Sequence, residues 1–192
     1  MLFRSVGFCR AVNIGLQQCR GEFVELLNND TEVSQGWADE ALAAFDDPQV
    51  GAVAPLVCRL PFRGRIDSAG DEYLWIGIAR KRGEGRSPSA PFDEPVEVFG
   101  ASAAAAFYRR DAVLRVGGFP EHFGAYLDDV DLGFRLRLAG FRCRFAPGSR
   151  VYHWVSRSHP LRTRRMQHQV ARNSEWVFWT NLSGPQLALM AI

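Results

Sequence analysis

The sequence predicts an α/β domain, a sheet flanked by helices, and three observations predict it. Glu22–Leu27 (EFVELL) and Val50–Val57 (VGAVAPLV) are short apolar runs of buried-strand length. Between them lie an acid-bearing turn and a helical stretch, and the order strand, turn, helix, strand is an α/β unit. The chain of 192 residues is 47% hydrophobic and 12% aromatic, enough for one domain with a real core.

The first strand runs directly into Asn28-Asn29-Asp30-Thr31. Ligands of open α/β sheets bind at the carboxyl ends of strands, so this tetrad stands where chemistry is expected. Its alternative reading is an Asx-turn leaving a strand. Gln35–Phe45 reads as a helix with Ser34 as its cap, ended by Asp46-Asp47-Pro48 because proline cannot continue it. Arg80–Pro95 is rich in Arg, Gly, Ser and Pro and reads as a mobile surface loop, with an acceptor-side or phosphate-gripping loop as the functional alternative. Val96–Tyr108 begins as a strand and passes into small residues that include Gly100, Ala101 and Ser102. Arg109–Val116 reads as a short helix.

Asp128–Gly140 (DDVDLGFRLRLAG) admits two readings. Val130, Leu132, Phe134, Leu136 and Leu138 alternate with polar residues or glycine, which suits a strand turning at Ala139-Gly140. Against this, Asp128 or Asp129 suits a helix N-cap, acids favour a helix N-terminus, and Gly140 suits a C-cap. Val130, Phe134, Leu138 and Phe141 would then share one helical face. Local pattern leaves both open. Arg142–Ala146 and Arg150–Tyr152 read as short strands parted by Pro147-Gly148, with His153 following.

Charge and cysteines narrow the classes. The formal net charge is only +2, and Lys81 is the sole lysine among 23 basic residues. Ser156–Arg172 is basic, with Arg157, Arg162, Arg164, Arg165 and Arg172, but carries no aromatic-interleaved module, so nucleic acid is not expected as a partner. This stretch reads as a solvated face, with diphosphate or an anionic membrane surface as alternatives. Trp176, Phe178, Trp179 and Leu182 are apolar enough to pack on the core or to lie at a membrane interface. The cysteines Cys9, Cys19, Cys58 and Cys143 form no CxxC or zinc spacing and read as free thiols of a reducing compartment. The sequence has no run of 18 apolar residues, and Met1–Arg20 has no signal-peptide core. A cytoplasmic site, extending to the inner face of a membrane, is the expectation.

The combined order Asn-Asn-Asp-Thr (28–31), Gly-Gly-Phe-Pro-Glu (117–121), Asp-Asp-Val-Asp-Leu (128–132), Ala-Gly-Phe (139–141) and Tyr-His (152–153) resembles family 2 glycosyltransferases of the rhamnosyltransferase-like kind. The resemblance covers about Val6–Asn181. It implies an N-terminally truncated GT-A fold, a Rossmann-like sheet flanked by helices. It also implies a helix over Asp129–Leu138, a helix over Val6–Arg20 carrying Asn13, and a hairpin over the sheet around Asp67-Ser68-Ala69-Gly70. The family carries roughly 70 to 90 further residues upstream, about two βαβ turns. The expectation is therefore a single partial domain over 1–192, with 156–192 as a basic and aromatic helical extension, which binds donor poorly by itself.

The resemblance further implies an inverting transfer of sugar from a UDP-, dTDP- or GDP-sugar to a hydroxyl of a glycan or lipid-linked acceptor, in cell-envelope glycan synthesis. Asn28, Asn29 and Asp30 would meet the donor diphosphate, and Gly100 and Ala101 would let it approach the backbone. Asp30 and His153 would hold Mg²⁺ or Mn²⁺, ions that share their shell with substrate phosphates. Asp129 would be the general base, with Asp128 as second choice, because an alcohol needs its proton removed to attack at neutral pH. A metal-dependent phosphoesterase built on Asp30, Asp129 and His153, or a non-catalytic binding remnant, are the competing classes.

Overall fold

The structure, a computed structural model, describes residues 6–155 and 163–182. Among these residues five α-helices and nine strands follow in the order α1 (Phe8–Gln18), β1 (Phe23–Leu27), β2 (Thr31–Val33), α2 (Trp37–Leu42), β3 (Val50–Arg59), β4 (Ile66–Ser68), β5 (Asp71–Tyr73), β6 (Ala79–Lys81), β7 (Val96–Val98), β8 (Ala105–Arg109), α3 (Arg110–Arg115), α4 (Asp128–Leu138), β9 (Arg142–His153) and α5 (Arg164–Asn181). The sheet runs β1-β8-β3-β9-β2, with β4 added to β3 and β7 to β9.

β3 and β9 form the parallel centre of the sheet, while the other pairings in it are antiparallel. Every residue of β3 but Arg59 is buried, as a strand covered on both faces requires. Ala52, Ala54, Leu56 and Cys58 pack toward α1, α3 and α4, whereas Val50 and Val53 pack with Ala41 and Phe45 on the α2 side. Pro55 removes one backbone donor from this ladder, and the β3–β9 register shifts beside it. The partner strand absorbs the shift at Pro147-Gly148-Ser149. The two short strands expected there are thus one strand bent at a bulge.

Other expectations are corrected. Ser34 does not cap α2. Gly36, at φ 74°, precedes the helix, and no side chain caps it. Asp67–Gly70 is not a hairpin turn between paired strands: β4 pairs with β3, and β5 forms its own two-stranded sheet with β6. The expected loop 80–95 begins inside β6, and its start is tied down. The Ala69 amide donates to Arg82 O at 2.9 Å, and the Ile66 amide to Arg86 O at 2.9 Å.

The ambiguous acid segment is a helix. α4 ends in a Schellman arrangement: the Phe141 amide donates to Leu136 O at 2.9 Å and the Gly140 amide to Arg137 O at 3.0 Å. Gly140 takes φ 87°, open to glycine at no steric cost. Neither Asp128 nor Asp129 is the N-cap. That position belongs to Leu127, and both acids lie in the first turn. The expected apolar face is also redrawn. Leu138 is 71% exposed, and Val130, Leu132 and Leu136 are the buried apolar residues, beside Asp128 and Asp131. Trp176 packs against Phe123, with ring centroids 5.5 Å apart, while Trp179 stays exposed. All four cysteines are free. Among the described residues, no helix is long and apolar enough to cross a membrane. The expectations for Met1–Ser5, for Arg157 and Arg162, and for the chain after Leu182 fall outside the described residues.

Candidate active site

Three motifs far apart in sequence meet through backbone pairing. In the β2–β9 ladder Thr31 stands opposite His153, so Asp30, one residue before β2, lies beside the histidine. The Trp154 amide donates to Asp30 O at 2.9 Å and closes this corner. On the other side the Asn28 amide donates to Ala104 O at 3.0 Å, and the Ala103 amide donates to Asp129 Oδ2 at 2.9 Å. The turn Ser102–Ala104 is thus bonded to the 28–31 tetrad through one residue and to the acid pair through its neighbour.

His153 is buried between two carboxylates. Its Nε2 lies 3.3 Å from Asp30 Oδ1 and its Nδ1 lies 3.2 Å from Asp67 Oδ2. Lys81 Nζ reaches the same Asp67 oxygen at 2.9 Å, and Arg59 Nε stands 3.8 Å from Oδ1. Burial works to raise the Asp67 pKa, but the His153 hydrogen bond and the Lys81 charge outweigh it and hold it at about 2. Two cis ligand atoms on a divalent ion at distances near 2.1 Å are about 3 Å apart, so the Asp30–His153 spacing fits one ion. Carboxylate oxygen with neutral imidazole is a donor set that Mn²⁺ accepts. Among the described residues no group of three or more His, Cys, Asp and Glu is placed to hold a metal, so these two are the candidate protein ligands.

The acid triplet divides into three environments. Asp131 belongs to the scaffold: its Oδ2 takes Arg135 Nε at 2.7 Å and its Oδ1 takes Asn181 Nδ2 at 2.9 Å. Arg135 Nη1 in turn donates to Val116 O at 2.6 Å and Gly118 O at 2.8 Å, which anchors the Gly-Gly-Phe turn to α4. Asn13 of α1 holds the same turn, accepting from the Phe119 amide at 2.8 Å and donating to its carbonyl at 2.9 Å. Asp129 is half-buried, and each of its carboxylate oxygens accepts an amide N–H, from Ala103 and from Val130. Asp128 is buried, with an Oδ2 that has no hydrogen-bond partner among the described residues. Burial first, and the neighbouring Asp129 charge second, push its pKa to about 7.

A carboxyl raised in the fold keeps a proton that the unfolded chain has lost. Its contribution to stability is complete below about pH 4 and is lost as pH rises through about 7. Asp128→Asn, which carries no titratable proton, is therefore expected to flatten the fall in stability between pH 4 and 7. It should gain on the order of 1–3 kcal/mol over the native chain above pH 7. Urea denaturation at pH 5 and pH 8 checks this, and equal pH slopes for the two proteins would refute it.

The acid pair is aimed by a strained turn. Tyr126 and Leu127 take φ values of 68° and 62°, a region non-glycine residues seldom enter. Asn173 of α5, fully buried, donates through Nδ2 to Ala125 O at 2.9 Å and Tyr126 O at 2.8 Å, and to Phe123 O at 3.3 Å. Gln169 and Arg172 donate to the same stretch. Arg172, one of the expected basic-face residues, is therefore also a tie to the loop before α4.

Four residues at or around the site escaped the sequence reading in their roles: Asp67, Asp71, Tyr108 and Asn173. Asp71 is buried near the acid pair, and burial, then the Asp129 charge, raise its pKa well above the ordinary carboxyl value. Tyr108 is raised by burial in the same way. An apolar run of strand residues carries no local mark for such neighbours. Gly100 and Ala101 are buried under α4: a Cβ on Gly100 would stand 3.6 Å from Asp71 Oδ2 and 3.8 Å from Gly133 Cα. The contact these small residues make is close packing of backbone on helix.

A mixed sheet with an acid turn at a strand end, a buried histidine beside it and an acid pair opening a helix is compatible with the glycosyltransferase class. The match to known proteins agrees: Glycosyl transferase family group 2 matches residues 23–183, and the chain belongs to that family. A pre-mycofactocin glycosyltransferase of Mycobacterium tuberculosis is 34% identical over 163 residues, covering 80% of this chain and 33% of that protein. An N-acetylglucosaminyl-diphospho-decaprenol L-rhamnosyltransferase of the same organism is 32% identical over 154 residues, 71% of this chain and 48% of that protein. The chain thus spans a third to a half of the length of these relatives. GalNAc-T7, solved with UDP, GalNAc and Mn²⁺, superposes with a TM-score of 0.65 at 18% identity over 90% of this chain and 35% of that one. A mannosyltransferase of Pyrobaculum calidifontis with GDP-Man and Mn²⁺ gives 0.51 at 18% identity, over 96% and 58%. The fold is that of GT-A enzymes.

Proposed function

We propose that this chain carries the metal-binding and acceptor-activating part of an inverting, nucleotide-sugar-dependent glycosyltransferase. The observation that carries the reading is the joining of Asn28 and Asp129 to adjacent residues, Ala104 and Ala103. It brings a candidate metal pair and a candidate base to one sheet end. Asp30 Oδ1 and His153 Nε2 would hold Mn²⁺ or Mg²⁺, which, when bound, neutralises the charge growing on the leaving diphosphate. Asn28 and Asn29 border that diphosphate. Gly100 and Ala101 keep backbone, not side chains, next to the acid helix.

Asp129 accepts the proton of the acceptor hydroxyl, since it is the acid of the pair that reaches solvent. Asp128 lies buried beside it, its pKa raised by burial and then by the Asp129 charge. Attack on the sugar face opposite the leaving group inverts the anomeric carbon. The donor is a UDP-, dTDP- or GDP-sugar, and the acceptor a hydroxyl of a glycan or lipid-linked glycan, the setting that the rhamnosyltransferase relative suggests.

Calorimetry with UDP-, dTDP- and GDP-sugars, with and without Mn²⁺, tests the reading. Metal-dependent binding that weakens at least tenfold in Asp30→Ala is the expected result. Metal-dependent binding that Asp30→Ala leaves intact would move the metal site elsewhere.

A further inference from the structure

We infer that Asp67 is a positioning residue of this site: it holds His153 as the Nδ1–H tautomer, so that the Nε2 lone pair faces Asp30. The inference rests on the metal reading of Asp30 and His153, but the contact that carries it does not involve a metal. Asp67 is fully buried, and its Oδ2 lies 3.2 Å from His153 Nδ1 and accepts from Lys81 Nζ at 2.9 Å.

The chain topology explains why an acid from the middle of the sequence can do this. Arg59, at the end of β3, stands opposite His153, at the end of β9. β4 then returns along β3, pairing Ser68 with Val57 and Ile66 with Cys58. The register shift between these two pairs leaves Asp67 as the extra residue of a bulge. Bulges commonly re-aim one side chain, and here the carboxylate turned into the sheet end meets the imidazole.

An imidazole ring has one lone pair when neutral, and the partner of one nitrogen decides which nitrogen keeps it. A carboxylate at Nδ1 claims the proton there and leaves Nε2 as the ligand atom. Such a partner also raises the basicity of the ligand and fixes the ring plane. Lys81 places its ammonium on the same Asp67 oxygen, so the only lysine of the chain stands at one end of the line Lys81–Asp67–His153–Asp30. Arg59 and Lys81 are the cations that face Asp67, and Asp30 is the other carboxylate that faces His153.

The test reads the tautomer directly. Long-range ¹H–¹⁵N spectra of the metal-free chain, taken at a pH where the ring shifts report a neutral imidazole, are assigned with His153→Gln. The native chain should show His153 protonated at Nδ1. Asp67→Ala should move the proton to Nε2, while Asp67→Asn, whose amide oxygen still accepts, should keep it at Nδ1. A Mn²⁺ titration followed by electron paramagnetic resonance should show affinity about 10- to 100-fold weaker in Asp67→Ala and an intermediate loss in Asp67→Asn. Circular dichroism confirms that the variants fold, and the native tautomer together with the Mn²⁺ affinity of Asp67→Asn carries the test where Asp67→Ala does not fold. A native Nε2–H tautomer, or a tautomer that Asp67→Ala does not change, overturns the inference. The expected tautomer switch in a chain that binds no Mn²⁺ would sustain the role of Asp67 and refute the metal reading instead.

Discussion

Asp129→Asn is expected to lower sugar transfer by about 10²- to 10⁴-fold while leaving metal-dependent donor binding in place. The asparagine keeps the size of the side chain and one oxygen to accept from the Ala103 or Val130 amide, so the turn joining α4 to the sheet should persist. What it removes is a carboxylate able to take a proton. The comparison variant is Asp131→Asn, in a side chain whose two oxygens are engaged by Arg135 and Asn181. That substitution should lower stability more than it lowers the chemical step per folded molecule. Single-turnover rates and calorimetric donor affinities should be measured on this chain and on one carrying any residues its gene encodes upstream. If Asp128→Asn stops transfer and Asp129→Asn does not, the roles of the two acids are reversed.

The second large effect is structural. Asn173→Ala should destabilise the fold by about 2–4 kcal/mol, because it strips a buried donor from three carbonyls. Gln169 still serves Phe123 O and Ala125 O, so the carbonyl left most exposed to this loss is that of Tyr126. That carbonyl belongs to the left-handed turn holding Tyr126 and Leu127 at positive φ. Without the anchor the turn can relax, and the acids that follow it lose their aim. Asn173→Asp separates donor from volume: it fills the same space but cannot donate, and it should be at least as damaging as the alanine. Urea denaturation checks the stability change, and a loss below 1 kcal/mol in both variants would show that Gln169 and Arg172 suffice.

How far the site could be read in advance depended on whether its parts carried a local pattern. The tetrad Asn28–Thr31 follows an apolar run and the acid pair precedes a mixed periodic one, so both were visible as turns at element ends. His153 was legible only through its order relative to them. Asp67 had no such mark. Its meaning comes from a one-residue bulge between β4 and β3, and a bulge is a property of two strands paired, not of either alone.

The apolar face of α4 misled for a related reason. The residues buried on that helix include Asp128 and Asp131, and hydrophobic periodicity counts buried acids as solvent-facing. Leu138, the residue that periodicity placed inward, lies in the last turn and points to solvent. The Schellman close at Gly140 was legible because a glycine after a helical stretch carries its own backbone requirement.

By itself the sequence determined the α/β class and the order and approximate limits of β1, β3 and α3, because each of these rests on interactions within a short window, whereas the helix α4 followed from the family resemblance and not from local pattern. Tertiary structure alone decided that Asp67 meets His153 and that Asn173 braces the turn before the acids. It also decided that the 28–31 tetrad and Asp129 share the Ala103-Ala104 segment. Those contacts join residues 26 to 86 positions apart. No local propensity encodes them; Asp67 meets His153 because β3 pairs with both β9 and β4, and Asn173 reaches its turn because α5 lies against the loop before α4.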